Sequence, residues 1–191
     1  GERDGLSWDL SLYRAELRDE LLSVQTPVGG NQTSGVTVNA GRTVHQGIEA
    51  AVAVKPLAWA TIRLNGLYND FALEDDAAFG NNTLPGIPDV LLRSEWRADI
   101  GQQFVALTTE TADKTFIDFA NTFAAKGYTV VGVKTGGALL PTLSWFAEAR
   151  NLADKKYAAS TGVIRNAMGN DQAQFLPGDG RSVYAGLTWT P

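Results

Sequence analysis

Apolar and polar positions alternate with a period of two along most of the chain, in segments longer than soluble sheets commonly use. Over 6–13, Leu6, Trp8, Leu10 and Leu12 alternate with Ser7, Asp9, Ser11 and Tyr13. The polar run Leu17-Arg18-Asp19-Glu20 predicts a tight turn, with a short strand over 21–26 after it. A loop rich in Gly, Asn, Thr and Ser is expected from Pro27 to about Ala40. The next strand sets Ile48, Ala50, Val52 and Val54 on one face and Gly47, Glu49, Ala51 and Ala53 on the other. Pro56 closes it, since proline cannot donate to a central ladder. The return strand, from Trp59, sets Ala60, Ile62, Leu64 and Gly66 against Thr61, Arg63, Asn65 and Asn69. After an acidic, Gly/Asn-bearing loop at 74–83, Leu84-Pro85-Gly86-Ile87-Pro88 leads into the next strand. There Val90, Leu92 and Trp96 oppose the charged row Arg93, Glu95, Arg97. Further strands are expected at 103–111, 128–135, 143–150 and 182–189.

The pattern predicts an all-β chain, an antiparallel meander of about nine long strands forming part of a transmembrane β-barrel. Short connections (17–20, 55–58, 99–102, 136–141) alternate with long ones (27–40, 73–84, 111–122, 158–180). A transmembrane barrel sorts its connections this way, with short periplasmic turns and longer outer loops. In that reading Arg63, Asn65, Arg93, Glu95 and Arg97 face a wet lumen. Ile62, Leu64, Val90, Leu92, Trp96, Val183, Leu187 and Trp189 face lipid. Alternation with one polar face also describes an antiparallel sheet packed on a soluble core. A soluble all-β carbohydrate- or protein-binding module and a passive porin-like channel therefore stay open.

Composition narrows the classes. The apolar fraction is 44% and mean hydropathy is −0.12. No segment approaches the roughly 18–20 apolar residues of a spanning helix, which leaves a barrel open because its strands hide apolarity in alternation. The net charge of −5 argues against nucleic acid, which needs clustered cations to replace phosphate counterions. The absence of cysteine removes disulfides, zinc fingers and thiol nucleophiles together. The opening residues have no apolar signal-peptide core, so an export signal is expected upstream of Gly1.

Five segments, in order and spanning nearly the whole chain, resemble the C-terminal barrel of TonB-dependent outer-membrane receptors. They are WDLSLYRAELRDELLSV, NAGRTVHQGIEAAVAVKPLAWATIRLNGLYND, LPGIPDVLLRSEW, FAEARNLADKKY and PGDGRSVYAGLTW. Asn151, Asp154 and Lys156 would then sit where a strand reaches the membrane boundary. Tyr157 would be an interfacial aromatic, and Gly178-Asp179-Gly180 a turn before the last strand. Family chains end on Phe or Trp, whereas Trp189 is followed here by Thr190 and Pro191. The resemblance implies the last nine or so strands of a barrel of about 22, with plug domain, TonB box and earlier strands upstream. It implies uptake of a ferric siderophore or similar scarce iron chelate, driven through the TonB system, in the bacterial outer membrane. No enzyme activity and no cofactor are implied.

Candidate chemistry is sparse. With one histidine, a His-rich metal centre or a Ser-His-Asp site has little to build on, and no catalytic or metal residues are assigned. Asp75-Asp76 reads as a solvated loop tip rather than a cation site. Glu95 between two arginines reads as part of an ion ladder. Gly29-Gly30 and Gly136-Gly137 lack the lysine and strand–helix setting of a phosphate loop. Anionic chelates call for cations and donors near the mouth. Arg42 and His45, at the outer end of one strand, with Tyr68 and Asn69, at the end of its neighbour, are expected to form one ligand patch. Arg165 and Asn166 in the last long loop would fold over it.

Overall fold

A computed structural model describes residues 1–29, 32–170 and 175–190. Gly30 and Asn31 (in the loop expected at 27–40), 171–174 (in the one expected at 158–180) and Pro191 lie outside them. In chain order the strands are β1 (Glu2–Arg3), β2 (Leu6–Gly29), β3 (Gln32–Leu57), β4 (Ala60–Leu73), β5 (Val90–Ile100) and β6 (Gln103–Ala112). They continue as β7 (Thr115–Phe116), β8 (Ala124–Ala125), β9 (Tyr128–Leu140), β10 (Leu143–Arg150), β11 (Ala158–Thr161), β12 (Phe175–Pro177) and β13 (Ser182–Trp189). Nine of them form one antiparallel sheet in the order β1-β2-β3-β4-β5-β6-β9-β10-β13. The pairs β7–β8 and β11–β12 lie in the long connections.

The turn expected at 17–20 does not form. β2 runs through it, paired with β3 from Leu6↔Val54 out to Gly29↔Gln32. The polar quartet marks a change of face instead. Asp19 adopts φ 56, a left-handed conformation that Asp tolerates better than most residues. Arg18↔Arg42 and Glu20↔Ala40 pair on either side of it in unchanged register. Beyond it, Glu20 reaches Thr43 and His45, while Leu21 is 72% exposed. The expected strands at 6–13 and 21–26 are thus two halves of one, and the ninth member of the sheet is the two-residue β1. Most of the loop expected at 27–40 is also strand, with Val36↔Val24, Thr37↔Ser23 and Val38↔Leu22 in the ladder. β-Branched residues fit a half-buried pleated surface, and here Leu22, Val24 and Val38 turn one side of it into a buried cluster.

The other short connections hold: 58–59, 101–102 and 141–142 join strands at one end of the sheet. Gly136 and Gly137, expected in a turn, belong to β9. A Cβ on Gly136 would press on the Trp145 carbonyl and the Phe104 ring, so glycine lets the neighbouring strands close on it. The long connections, 74–89, 113–127 and 151–181, gather at the opposite end.

Register sorts the side chains into two faces. One carries Ser7, Asp9, Ala51, Ala53, Arg63, Asn65, Arg93, Glu95, Thr108 and Lys134. The other carries Leu10, Leu12, Ile48, Leu92, Trp96, Leu107, Leu187 and Trp189, all exposed. Across the strands, Leu12↔Ile48↔Tyr68↔Val90 forms an apolar and aromatic row. Two residues farther out, Arg14 donates to Gln46 at 2.6 Å and Gln46 to Asp70 at 2.7 Å. The apolar belt ends between those rows. On β4 it runs from Ala60 to Tyr68, close to the roughly 9–11 residues a tilted strand needs to cross a bilayer. The buried clusters lie at the outer end, one between the connections and the outer parts of β2, β3 and β4, the other among the connections themselves.

Candidate functional site

The outer connections interlock into one cap. Asp118 is completely buried, and its carboxylate accepts from the backbone N–H groups of Thr122, Phe123 and Ala167 and from the Thr122 hydroxyl. It therefore ties the 113–127 connection to the 151–181 one. A buried carboxylate is tolerated only when its lone pairs are satisfied, and here amide and hydroxyl donors satisfy them. Asn121, at φ 53, donates to the Thr83 carbonyl at 3.0 Å and accepts from its N–H at 2.9 Å. Asn82 donates to the Phe119 carbonyl. These bonds bring in the 74–89 connection. Phe119 packs in a core with Val24, Ala40, Leu73 and Leu84, which joins the cap to the outer halves of β2 and β3. None of these residues was singled out from the sequence. The one available signal was an acid inside an apolar run, Phe116-Ile117-Asp118-Phe119.

Below the cap, the polar face of the wall carries cross-strand ion pairs. Glu95 pairs with Arg63 on β4 at 2.8 Å and with Lys134 at 3.9 Å. Arg93 pairs with Glu110 at 2.7 Å, and Lys134 with Glu148 at 3.8 Å. Arg97 pairs with Asp99 and lies over the Phe104 ring. The expected ladder is present, though the rungs of Glu95 cross between strands rather than join it to Arg93 and Arg97. Above these pairs, Tyr157 packs on Tyr128 with ring centroids 4.2 Å apart and covers Gly178. It borders the same cavity as Arg93 and Glu110, so it belongs to the polar side and is not an interfacial aromatic facing lipid. Burial pushes its phenol pKa up, with Glu110 adding to the effect. Asn151 ties 151–155 to Asp179, donating to the Lys155 and Asp179 carbonyls. The Arg181 N–H bound to Asp154 holds that carboxyl below its ordinary value.

The six expected ligand residues are not brought into one patch. Alternation divides the first four: His45 and Asn69 share the polar face with Phe71, whereas Tyr68 sits in the apolar row with Ile48. Arg42 pairs with Glu74 at 3.3 Å. His45 stacks on Phe71 at 4.5 Å and meets Glu20 at 3.1 Å. Asn69 accepts from Tyr13 and donates to the Pro88 carbonyl. Arg165 lies over the Phe79 ring, and Asn166 accepts from the Met168 N–H, both on the cap. The Asp76 carboxylate accepts from its own loop, from the N–H groups of Ala78 and Phe79.

The family described as "TonB dependent receptor-like, beta-barrel" matches residues 1–152. The chain belongs to that family and is part of a bacterial outer-membrane β-barrel. Its fold is that of solved barrels of the same kind. The siderophore receptor PiuA from Acinetobacter baumannii matches with a TM-score of 0.75 and 17% identity, over 96% of this chain and 26% of that one. The copper transporter OprC matches with a TM-score of 0.77 and 16% identity, over 98% and 29%. The ferric yersiniabactin uptake receptor FyuA from Yersinia pestis matches with a TM-score of 0.74 and 14% identity, over 98% and 28%. The chain therefore spans between a quarter and a third of the length of these structures. No curated protein sequence matches it.

Proposed function

We propose that the chain is the C-terminal portion of the wall of an energy-coupled uptake receptor. Its plug domain, TonB box and remaining strands would lie upstream on the same polypeptide. The ligand would be a ferric siderophore or a similar iron chelate, drawn inward when the TonB system moves the plug. One observation carries this reading. A wet, ion-paired inner face backs an apolar outer belt, and a cap of interlocked connections closes one end only. Membership of the family and the likeness to PiuA and FyuA, named as a siderophore receptor and a ferric yersiniabactin uptake receptor, support the same ligand class.

His45 and Asn69, on the polar face just below the cap, would meet a ligand in the lumen mouth. Arg165 and Asn166 serve from the cap. Arg42, occupied by Glu74, and Tyr68, on the lipid-side row, lie outside that path. Uptake of radioactive iron by cells expressing the full receptor tests the reading, with ferric citrate and a ferric catecholate as ligands. Uptake that disappears in a strain without TonB supports it. Uptake that persists there favours a passive channel. Binding of the accepted chelate should weaken in His45→Ala and Asn69→Ala and stay unchanged in Arg42→Ala.

A further inference from the structure

We propose that the cap carries a pocket for an amphipathic anion, one in which an apolar ring or acyl group is joined to a negative charge. The pocket lies between the outer halves of β2 and β3 and the 74–89 connection. This pocket is a site beyond iron-chelate uptake and shares Arg165 with the contacts proposed for the chelate. The cavity measures about 410 Å³, inside the range of roughly 300–1,000 Å³ in which small-molecule sites fall. Its floor is the buried cluster Val24, Ala40, Leu73 and Phe119, with Leu22 and Val38 packed beside it.

Phe79 forms one side of the cavity, its ring stacked on Phe119 at 6.0 Å. An open apolar space of this kind gains free energy when an apolar group displaces its water.

Two charged side chains line the cavity, Arg165 and Asp76. The Arg165 guanidinium lies 5.4 Å from the centroid of the Phe79 ring and makes no ion pair among the described residues. The Asp76 carboxylate is turned to the N–H groups of Ala78 and Phe79, at 2.9 Å each, and makes no ion pair with Arg165. A ring or chain seated on Val24 and Phe119 with its anionic end toward Arg165 satisfies both parts of the site. Arginine suits that end because its planar fork meets a carboxylate or sulfonate through paired donors.

The test uses the full receptor in lipid nanodiscs and two probes. One is 8-anilinonaphthalene-1-sulfonate; the other is its uncharged counterpart, N-phenyl-1-naphthylamine. Empty nanodiscs supply the bilayer background. The expected result is saturable sulfonate fluorescence above that background. Val38→Trp fills the cavity and should abolish it, and Val36→Trp, at an exposed lining position, is a second filling variant should the first fail to fold. Arg165→Ala should weaken the sulfonate about tenfold and move the neutral probe less than about twofold. Signal no greater than that of empty nanodiscs, or saturable binding untouched by both filling variants, overturns the proposal. So does an Arg165→Ala variant that weakens neither probe, or both equally.

Discussion

The Tyr13 phenol donates a 2.7 Å hydrogen bond to Asn69 Oδ1, reaching across β3, which runs between them. The residue it crosses is Gly47, paired with Tyr13 on one side and Asn69 on the other. A Cβ there would collide with the Tyr13 ring and the Tyr68 carbonyl, so glycine is what lets the ring lie flat on the wall. Gly47→Val should therefore destabilise the folded barrel by about 1–3 kcal/mol, as overpacking does. Tyr13→Phe keeps the packing and should cost about 0.5–1.5 kcal/mol. Urea titration of the refolded receptor, followed by heat-modifiable gel migration, measures both.

Lipid and lumen faces should respond oppositely to charge. Leu64 lies in the middle of the apolar belt on β4, and Asn65 beside it faces the ion-paired side. Leu64→Arg should cost about 2–4 kcal/mol at mid-membrane depth, and Asn65→Arg far less. Equal costs in the same titration would sink the assignment of faces.

Removing the carboxylate of Asp118 takes the acceptor from the buried Ala167 N–H, from the partly buried N–H groups of Thr122 and Phe123 and from the Thr122 hydroxyl. Asp118→Ala should cost at least about 1–3 kcal/mol, localised in the cap. Hydrogen exchange should quicken over 113–127 and 158–170 and stay unchanged in β4, β5 and β6. Faster exchange throughout the wall would mean that the cap and the barrel unfold together.

Acid should release the Asp154 staple. Its folded pKa lies below the ordinary value, first because the Arg181 N–H stabilises the carboxylate and then because Lys156 is near. A depressed carboxyl pKa contributes stability above the unfolded value, 3.8 here, and loses it as pH falls through the folded value. The Arg181 amide should keep its protection from neutral pH down to about that unfolded value and lose it below. Asp154→Asn should lower the protection at neutral pH and remove its dependence on acid, as amide exchange by NMR would show.

The membrane-crossing half of the fold was readable because one face of each strand meets lipid and the other meets water. That contrast writes itself as alternation in Leu6–Leu12, Ile48–Val54, Ala60–Tyr68 and Val183–Trp189. Beyond the belt both faces of β2 and β3 meet water or the cap, and the contrast disappears. Leu17–Glu20 then read as a turn and 27–40 as a loop, although the ladder runs on. The expected grouping of the four strand-end residues on one face does not form, for a related reason. Chain position put Tyr68 and Asn69 together at a strand end, but a period of two sends adjacent side chains to opposite faces. The Asp118 hub was out of reach because its donors, Thr122, Phe123 and Ala167, come together only once two separate connections fold against each other.

The most direct test of the account is which face of the wall meets lipid. The described chain has no cysteine, so single cysteines at Leu64, Asn65, Leu92, Arg93, Gly186 and Leu187 can each carry a nitroxide in an otherwise cysteine-free full receptor in lipid. Power-saturation EPR then compares relaxation by oxygen, which concentrates in the bilayer, with relaxation by a water-soluble nickel chelate. Positions 64, 92 and 187 should favour oxygen, and 65, 93 and 186 should not, alternating residue by residue. The reverse alternation, or none, would contradict a transmembrane barrel wall in this register.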